Sequence, residues 1–112
     1  MNKTATDKII EETDKVFANT YKRTQIVIDK GAGVTLWDKE GKSYTDFMAG
    51  IAVCGLGHCH PAVVKAVKEQ AEKLFHISSL YYIEPQTELV SWLIKNSFAD
   101  RAFLSNSGTG YL

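Results

Sequence analysis

The sequence predicts an α/β fold, with α+β character over these 112 residues. Three short runs typical of β-strands lie within residues 25–48, and two stretches with helical periodicity follow them. A further apolar run, residues 101–105, is typical of a short buried strand. We therefore expect a small antiparallel sheet, then helices, and then one further strand.

The composition is that of an ordinary globular protein, with 45% hydrophobic and 23% charged residues. Thirteen basic residues balance thirteen acidic ones, so no net field attracts the chain to nucleic acid or to an anionic membrane. The longest apolar runs are far shorter than the roughly 20 residues of a membrane span, and the start shows no secretory signal pattern. Two cysteines are too few for a disulfide framework. These features predict a cytoplasmic protein.

The first half of the chain predicts one helix and three strands. Residues 5–20 carry sparse apolar side chains among many charges, which is typical of a weakly amphipathic helix. The runs QIVID (25–29), VTLWD (34–38) and SYTDFM (43–48) predict strands. Gly41, between the last two runs, can take the positive φ that a tight hairpin turn requires. The aromatic residues of this hairpin are predicted to face its core: Trp37, Tyr44 and Phe47.

Two helices are predicted in the second half of the chain. Pro61 suits the first position of a helix, where its missing N–H removes no hydrogen bond. An apolar stripe with charges opposite then predicts one buried face and one solvated face. Pro85 begins a second helix, which fades near Asn96, and the strand RAFLS (101–105) follows. The buried stripe of the first of these helices comprises Val63, Val64, Val67, Ala71, Leu74 and Phe75.

The glycine-rich stretch GIAVCGLGHCHP (50–61) invites two interpretations that its spacing disfavours. Its glycines follow the order G-x-x-x-x-G-x-G, which is neither the dinucleotide-binding fingerprint nor a P-loop. His58, Cys59 and His60 could ligate a metal, but ligands two residues apart with no second cluster make a poor tetrahedral zinc site. We expect instead that no metal binds, and that His58 and His60 cap the following helix and stabilise a tight loop.

The turn after residues 101–105 has the chemistry of a phosphate site. Glycine lets the backbone approach an anion closely, and hydroxyl groups add hydrogen-bond donors. When a helix begins at such a turn, its free N–H groups and its dipole favour the anion. Ser107, Gly108 and Thr109 match these roles, although the same tripeptide also occurs in plain surface turns.

Four segments, taken in order, resemble class III pyridoxal-phosphate-dependent aminotransferases. They are the hairpin WDKEGKSYTDFMAGIAV, the loop LGHCHP, the segment HIS at 76–78 and the turn NSGT at 106–109. The resemblance runs from about Tyr21 to Thr109. It implies the amino-terminal part of the PLP-dependent transferase fold type I, the fold of aspartate aminotransferase, with a pyridoxal 5'-phosphate (PLP) cofactor and a homodimeric assembly.

The same resemblance implies transfer of an amino group from a small-molecule donor to a 2-oxo acid. N-acetylornithine as donor and 2-oxoglutarate as acceptor, in arginine biosynthesis, are the substrates that the LGHCHP loop favours. Ornithine, succinylornithine and 4-aminobutyrate are the alternative donors within the family.

The resemblance also implies roles for particular residues of this chain. Residues 107–109 match the motif whose backbone and hydroxyl groups hold the cofactor phosphate. Residues 50–53 match a loop beside the substrate and near the dimer interface, and residues 78–80 match a stretch that packs against the partner subunit. By name, these are Ser107, Gly108 and Thr109 for the cofactor, Gly50, Ile51, Ala52 and Val53 beside the substrate, and Ser78, Ser79 and Leu80 at the partner.

The match fails at residues 110–112, which read Gly-Tyr-Leu where the family has the start of a long helix. The resemblance therefore implies a chain truncated before the Schiff-base lysine, with no catalytic residue of its own and no activity alone. It implies two domains: residues 1–75, with the amino-terminal helix, the hairpin and a linking helix, and residues 76–112, the start of the PLP-binding large domain. The alternative is a non-catalytic structural or dimerisation piece.

Overall fold

The computed structural model of the protein describes residues 3–107. The chain divides into two compact units, Met1–Lys73 and Leu74–Leu112. The elements of the first unit are α1 (Ala5–Val16), β1 (Ile28–Ala32), β2 (Thr35–Asp38), β3 (Ser43–Thr45), the short helical turn α2 (Ala49–Ala52) and α3 (Pro61–Lys73), and the second unit contains α4 (Glu84–Lys95).

Helix α1 begins at a capping box. The Thr4 hydroxyl accepts a hydrogen bond from the Asp7 amide at 3.1 Å, and the Asp7 carboxylate accepts one from the Thr4 amide at 2.9 Å. Each side chain thus satisfies an amide that the first helical turn leaves without a partner. The helix ends at Val16 because Phe17 is extended, so it is shorter than the predicted range 5–20.

The three strands form an antiparallel sheet in the order β1-β2-β3, as predicted. Strand β1 starts at Ile28 rather than at residue 25, because its regular pairing with β2 runs through residues 30–32, after an irregularity that follows Ile28. Gly41 takes a φ of +81° in the β2–β3 turn, which confirms the predicted hairpin.

Asp38 stabilises this hairpin. It is buried, with 8% of its surface exposed, and no other charged residue between positions 3 and 107 is buried. One carboxylate oxygen accepts hydrogen bonds from the amides of Glu40 and Lys42, at 3.1 and 2.8 Å. The other accepts the Tyr44 hydroxyl at 2.7 Å. The Tyr44 hydrogen bond, with the two amides, holds the pKa of the Asp38 carboxyl below its ordinary value despite the opposing effect of burial.

Helix α3 starts at Pro61, as predicted, but its apolar stripe is not buried. Val67 is exposed, and so is Phe75 just beyond the end of the helix, at 90% of its surface. The predicted burial of this stripe is wrong for the described chain, because within the first unit no described element packs on α3. In the second unit, Pro85 lies in the first turn of α4, which agrees with the predicted helix start.

Two further predictions from the sequence are corrected. Residues 101–105 form no strand, since a strand requires a neighbouring strand for its backbone hydrogen bonds and the described part of the second unit contains none. Phe47 does not face a core, because 92% of its surface is exposed, whereas Trp37 and Tyr44 are half-buried.

Large apolar surfaces remain uncovered across the described chain. No hydrophobic residue between positions 3 and 107 is buried, so hydrogen bonds and turn geometry, rather than a core, define the local structure. None of the described helices combines the length and the apolar character needed to cross a membrane.

Candidate functional site

The candidate site is built around α2, which is a left-handed turn. The φ angles of Ala49, Gly50, Ile51 and Ala52 are +47°, +62°, +59° and +63°. For a residue with a Cβ this conformation costs about 1–2 kcal/mol, because the Cβ approaches the following carbonyl oxygen. Three of the four residues of the turn, Ala49, Ile51 and Ala52, carry a Cβ and therefore require specific contacts that hold them. The turn projects into solvent, where Ile51 is 84% exposed and Val53 is 82% exposed.

Asp46 supplies part of that support at the start of the turn. Its Oδ1 accepts hydrogen bonds from the amides of Met48 at 2.8 Å and Ala49 at 3.0 Å. Within the turn, the Ala52 amide bonds to the Met48 carbonyl at 3.1 Å, and the Cys54 amide bonds to the Ala49 carbonyl at 2.8 Å. The backbone groups of the turn are thus paired at both of its ends.

His58 binds the second oxygen of the same carboxylate. Its Nε2 lies 2.6 Å from Asp46 Oδ2, and both side chains are largely shielded, with 21% and 9% of their surfaces exposed. The hydrogen bond from His58, followed by those from the amides of Met48 and Ala49, holds the pKa of the Asp46 carboxyl below its ordinary value. The carboxylate therefore joins the glycine-rich loop to the left-handed turn.

The backbone of His58 is fixed on the sheet. The His58 amide donates to the Gly33 carbonyl at 2.8 Å, and the Gly33 amide donates to the His58 carbonyl at 2.9 Å. A Cβ on Gly31 would lie 2.9 Å from the His58 side chain, and a Cβ on Gly57 would lie 3.0 Å from the Gly33 backbone. Glycine is required at both positions, because the loop and the sheet approach too closely for a side chain.

An open cavity of about 730 Å³ lies beside this loop, lined by residues 53–60 together with Val63 and Val64. His60 Nδ1 is buried at its wall and has no hydrogen-bond partner among the described residues. The His60 carbonyl accepts the Val64 amide at 3.0 Å, so His60 contributes to the start of α3 through its backbone. The predicted capping role of the His58 side chain is wrong, because that ring binds Asp46 instead, whereas its predicted stabilisation of the loop is observed.

The described residues contain no cluster of three or more side chains able to hold a metal ion. Cys59 is exposed and has a φ of +52°, while Cys54 is half-buried.

The other predicted site residues fall into two groups. Ser107 is described and exposed, and its carbonyl accepts the Ser105 hydroxyl at 2.8 Å, whereas Gly108 and Thr109 lie outside the described residues. In residues 78–80, the Ser78 hydroxyl and carbonyl form a short turn by accepting the amides of Leu80 and Tyr81, at 3.3 and 3.1 Å.

Asp46, the residue that organises the turn, was not among the residues predicted to have a functional role. Asp46 lies inside the run that predicted a strand over 43–48, whereas β3 ends at Thr45. An aspartate just after a strand and before a chain reversal can accept backbone amides, but the pattern placed the end of this strand too late to show it. Its partner His58, twelve residues later, follows from no local spacing rule.

Comparison with known proteins identifies the family. Residues 16–110 match the family model described as aminotransferase class-III. Because this match covers most of the chain, the protein belongs to the class III aminotransferases, a PLP-dependent family. Over 95 residues it is 58% identical to the acetylornithine aminotransferase of Synechocystis sp. (strain ATCC 27184 / PCC 6803 / Kazusa). The aligned segment covers 85% of this chain and 22% of that protein.

Solved structures show the same relationship. Acetylornithine aminotransferase from Elizabethkingia anophelis superposes with a TM-score of 0.89 at 33% identity, over 96% of this chain and 28% of that one. Taurine:2-oxoglutarate aminotransferase from Bifidobacterium kashiwanohense, solved in complex with PLP and glutamate, superposes with a TM-score of 0.81 at 27% identity, over 98% of this chain and 26% of that one. The chain thus matches the amino-terminal part of these enzymes and spans about a quarter of their length.

Proposed function

We propose that this chain is the amino-terminal portion of an enzyme that transfers an amino group from N-acetylornithine to 2-oxoglutarate in arginine biosynthesis. The observation that carries the proposal is the 58% identity to an acetylornithine aminotransferase over 95 residues. Among the solved structures, two acetylornithine aminotransferases match at 33% and 42% identity, whereas the taurine enzyme matches at 27%. The donor is therefore proposed from sequence identity, since the backbone fold is common to several donors.

The fold and domain assignments belong to the same proposal. Residues 1–75 contribute the amino-terminal helix, the hairpin and a linking helix, and residues 76–112 begin the PLP-binding large domain of transferase fold type I. The division of the chain into units between Lys73 and Leu74 supports this arrangement. The homodimeric assembly and the cytoplasmic location stay predictions.

The cofactor phosphate would be held by residues 107–109. Ser107 has the required chemistry, since it is exposed and carries a hydroxyl and a backbone amide. Gly108 and Thr109 are proposed on the sequence alone. When bound, PLP supplies the electron sink for amino transfer, which no protein side chain provides.

The left-handed turn would lie beside the substrate, as proposed for Gly50, Ile51, Ala52 and Val53. Its exposed Ile51 and Val53 side chains can exclude water from a neighbouring ligand. Its rigid backbone presents them in one orientation, because a turn held at both ends loses little further entropy on binding.

A chimeric enzyme tests the donor. Residues 16–107 of this chain would replace the matching residues of the Synechocystis acetylornithine aminotransferase, with the unmodified enzyme as control. We expect transfer from N-acetylornithine to 2-oxoglutarate at a rate near that of the control. A chimera that folds but prefers ornithine, succinylornithine or 4-aminobutyrate would contradict the proposed donor.

The 112-residue chain alone is expected to be inactive, because it contains no lysine in a recognisable cofactor-binding context. Incubation of the purified chain with PLP, N-acetylornithine and 2-oxoglutarate should give no glutamate. Glutamate formation above the level seen with PLP alone would show that the chain is itself an enzyme.

A structural or dimerisation piece is the second candidate, and the uncovered apolar side chains favour it. In the second unit, Phe75, Leu80 and Tyr82 are almost fully exposed. Contiguous exposed apolar surface favours association. Size-exclusion chromatography with light scattering should give a discrete dimer for a dimerisation piece, and a concentration-dependent mixture for a portion of a larger enzyme.

A further inference from the structure

We propose that Asp46 and His58 act as a positioning pair that fixes the left-handed turn Ala49–Ala52, and with it the exposed Ile51 side chain, on the three-stranded sheet. Asp46 and His58 are positioning residues, since neither forms part of the solvent-exposed surface of the turn. The relevance of the pair to substrate rests on the proposed function, whereas the geometry of the turn does not.

The left-handed turn is energetically costly. Ala49, Ile51 and Ala52 all have positive φ, and each adopts an energetically unfavourable conformation. A backbone segment in an unfavourable conformation persists only where the surrounding contacts hold it there. Within the described chain, the side chain that bonds to the backbone of this turn is the Asp46 carboxylate.

Asp46 is itself held from two directions. Its amide donates to the Val34 carbonyl at 2.8 Å, which attaches its backbone to the loop between β1 and β2. Its Oδ2 binds His58 Nε2 at 2.6 Å, and a charge-assisted hydrogen bond of this length is strong and directional. The carboxylate therefore has one orientation in which Oδ1 meets the amides of Met48 and Ala49.

His58 is held in place by contacts that do not involve the turn. Two backbone hydrogen bonds tie His58 to Gly33, and its side chain lies so close to Gly31 that a Cβ at that position would be 2.9 Å from it. The sheet thus fixes the His58 imidazole, the imidazole fixes the orientation of the Asp46 carboxylate, and the carboxylate fixes the turn.

NMR spectroscopy of the isotope-labelled 112-residue chain tests this directly. A positive φ shortens the distance between the amide and Hα protons of the same residue, so Ile51 and Ala52 should give strong intraresidue NOEs. His58→Leu removes the donor to Asp46 and should abolish these NOEs. His58→Gln places an amide donor near the position of Nε2 and should retain them.

Asp38→Asn is the matched control, because Asp38 also binds two amides at the same sheet but holds the β2–β3 turn. It should change the amide signals of residues 40–42 and leave the NOEs of Ile51 and Ala52 intact. Positive φ retained in His58→Leu would overturn the proposal, as would negative φ at residues 50–52 of the unmodified chain.

A second variant decides the matter if His58→Leu also loses the sheet signals. Asp46→Asn keeps the shape of the side chain but removes the carboxylate that His58 binds. It should move the Met48 and Ala49 amide signals upfield and weaken the Ile51 NOE, and unchanged signals would refute the pair. These readouts require no catalysis, so a failure of the proposed aminotransferase activity would leave them unaffected.

Discussion

Replacing Gly57 with alanine tests whether the glycine-rich loop is held against the sheet. Gly57 has a φ of +85°, and an added Cβ would lie 3.0 Å from the Cα and the carbonyl oxygen of Gly33. Those are backbone atoms, which cannot rotate away as a side chain can. The left-handed conformation costs about 1–2 kcal/mol with a Cβ, and overpacking costs about 1–3 kcal/mol. Local docking of the loop should therefore weaken by about 2 kcal/mol or more.

The His58 amide reports this docking, because it donates to the Gly33 carbonyl at 2.8 Å. Its hydrogen-exchange rate measures the free energy of local opening. Since about 1.4 kcal/mol corresponds to a factor of ten, exchange in Gly57→Ala should be faster by about 30-fold or more. The measurement uses two-dimensional NMR spectra of the chain recorded over time in deuterated buffer.

Two other glycines separate the contributions of strain and crowding. Gly33 has a φ of +56° with no atom within 4 Å of an added Cβ, so Gly33→Ala tests strain alone and should accelerate exchange by roughly tenfold. Gly55 has neither a positive φ nor a close neighbour, so Gly55→Ala should stay within about 0.5 kcal/mol of the unmodified chain. If Gly57→Ala exchanges no faster than Gly55→Ala, the loop does not contact the sheet and the reasoning is wrong.

Three further predictions concern the carboxylates and the helix cap. Thr4→Ala should destabilise α1 by about 1 kcal/mol, measured by far-UV circular dichroism, whereas Thr4→Ser, which keeps the hydroxyl, should leave it unchanged. The hydrogen bond to His58 lowers the pKa of Asp46 in the folded chain, so the contribution of its carboxylate is fully present above the ordinary value of about 4 and is lost as the pH falls through the lowered value. NMR signals of the left-handed turn should therefore shift in that acidic range, below about pH 4. Tyr44→Phe should raise the pKa of Asp38 towards its ordinary value, measured from the carboxyl ¹³C shift, and an unchanged pKa would show that the hydroxyl does not bind it.

Local features of the fold were predictable from the sequence. Pro61 predicted the start of α3, and Gly41 predicted the β2–β3 turn, because each residue restricts or permits backbone angles without reference to distant parts of the chain. The resemblance carried by the segments WDKEGKSYTDFMAGIAV and LGHCHP predicted the family, which the match over residues 16–110 confirms.

Features that depend on contacts between distant residues were not predictable. The stripe of α3 has the periodicity of a buried face, yet periodicity cannot say whether a partner is present, and Phe75 is exposed. Residues 101–105 have the composition of a strand but form none, since strand formation requires hydrogen bonds from a neighbouring strand.

The helix starts, the hairpin turn and the family were thus predictable, because they depend on neighbouring residues and on residue order. The pairing of Asp46 with His58, twelve positions later, joins a left-handed turn to the sheet and is visible only in the folded chain. That pairing depends on the close approach of Gly31, Gly33 and Gly57 in space, and distances between separate segments are set by the folded chain as a whole.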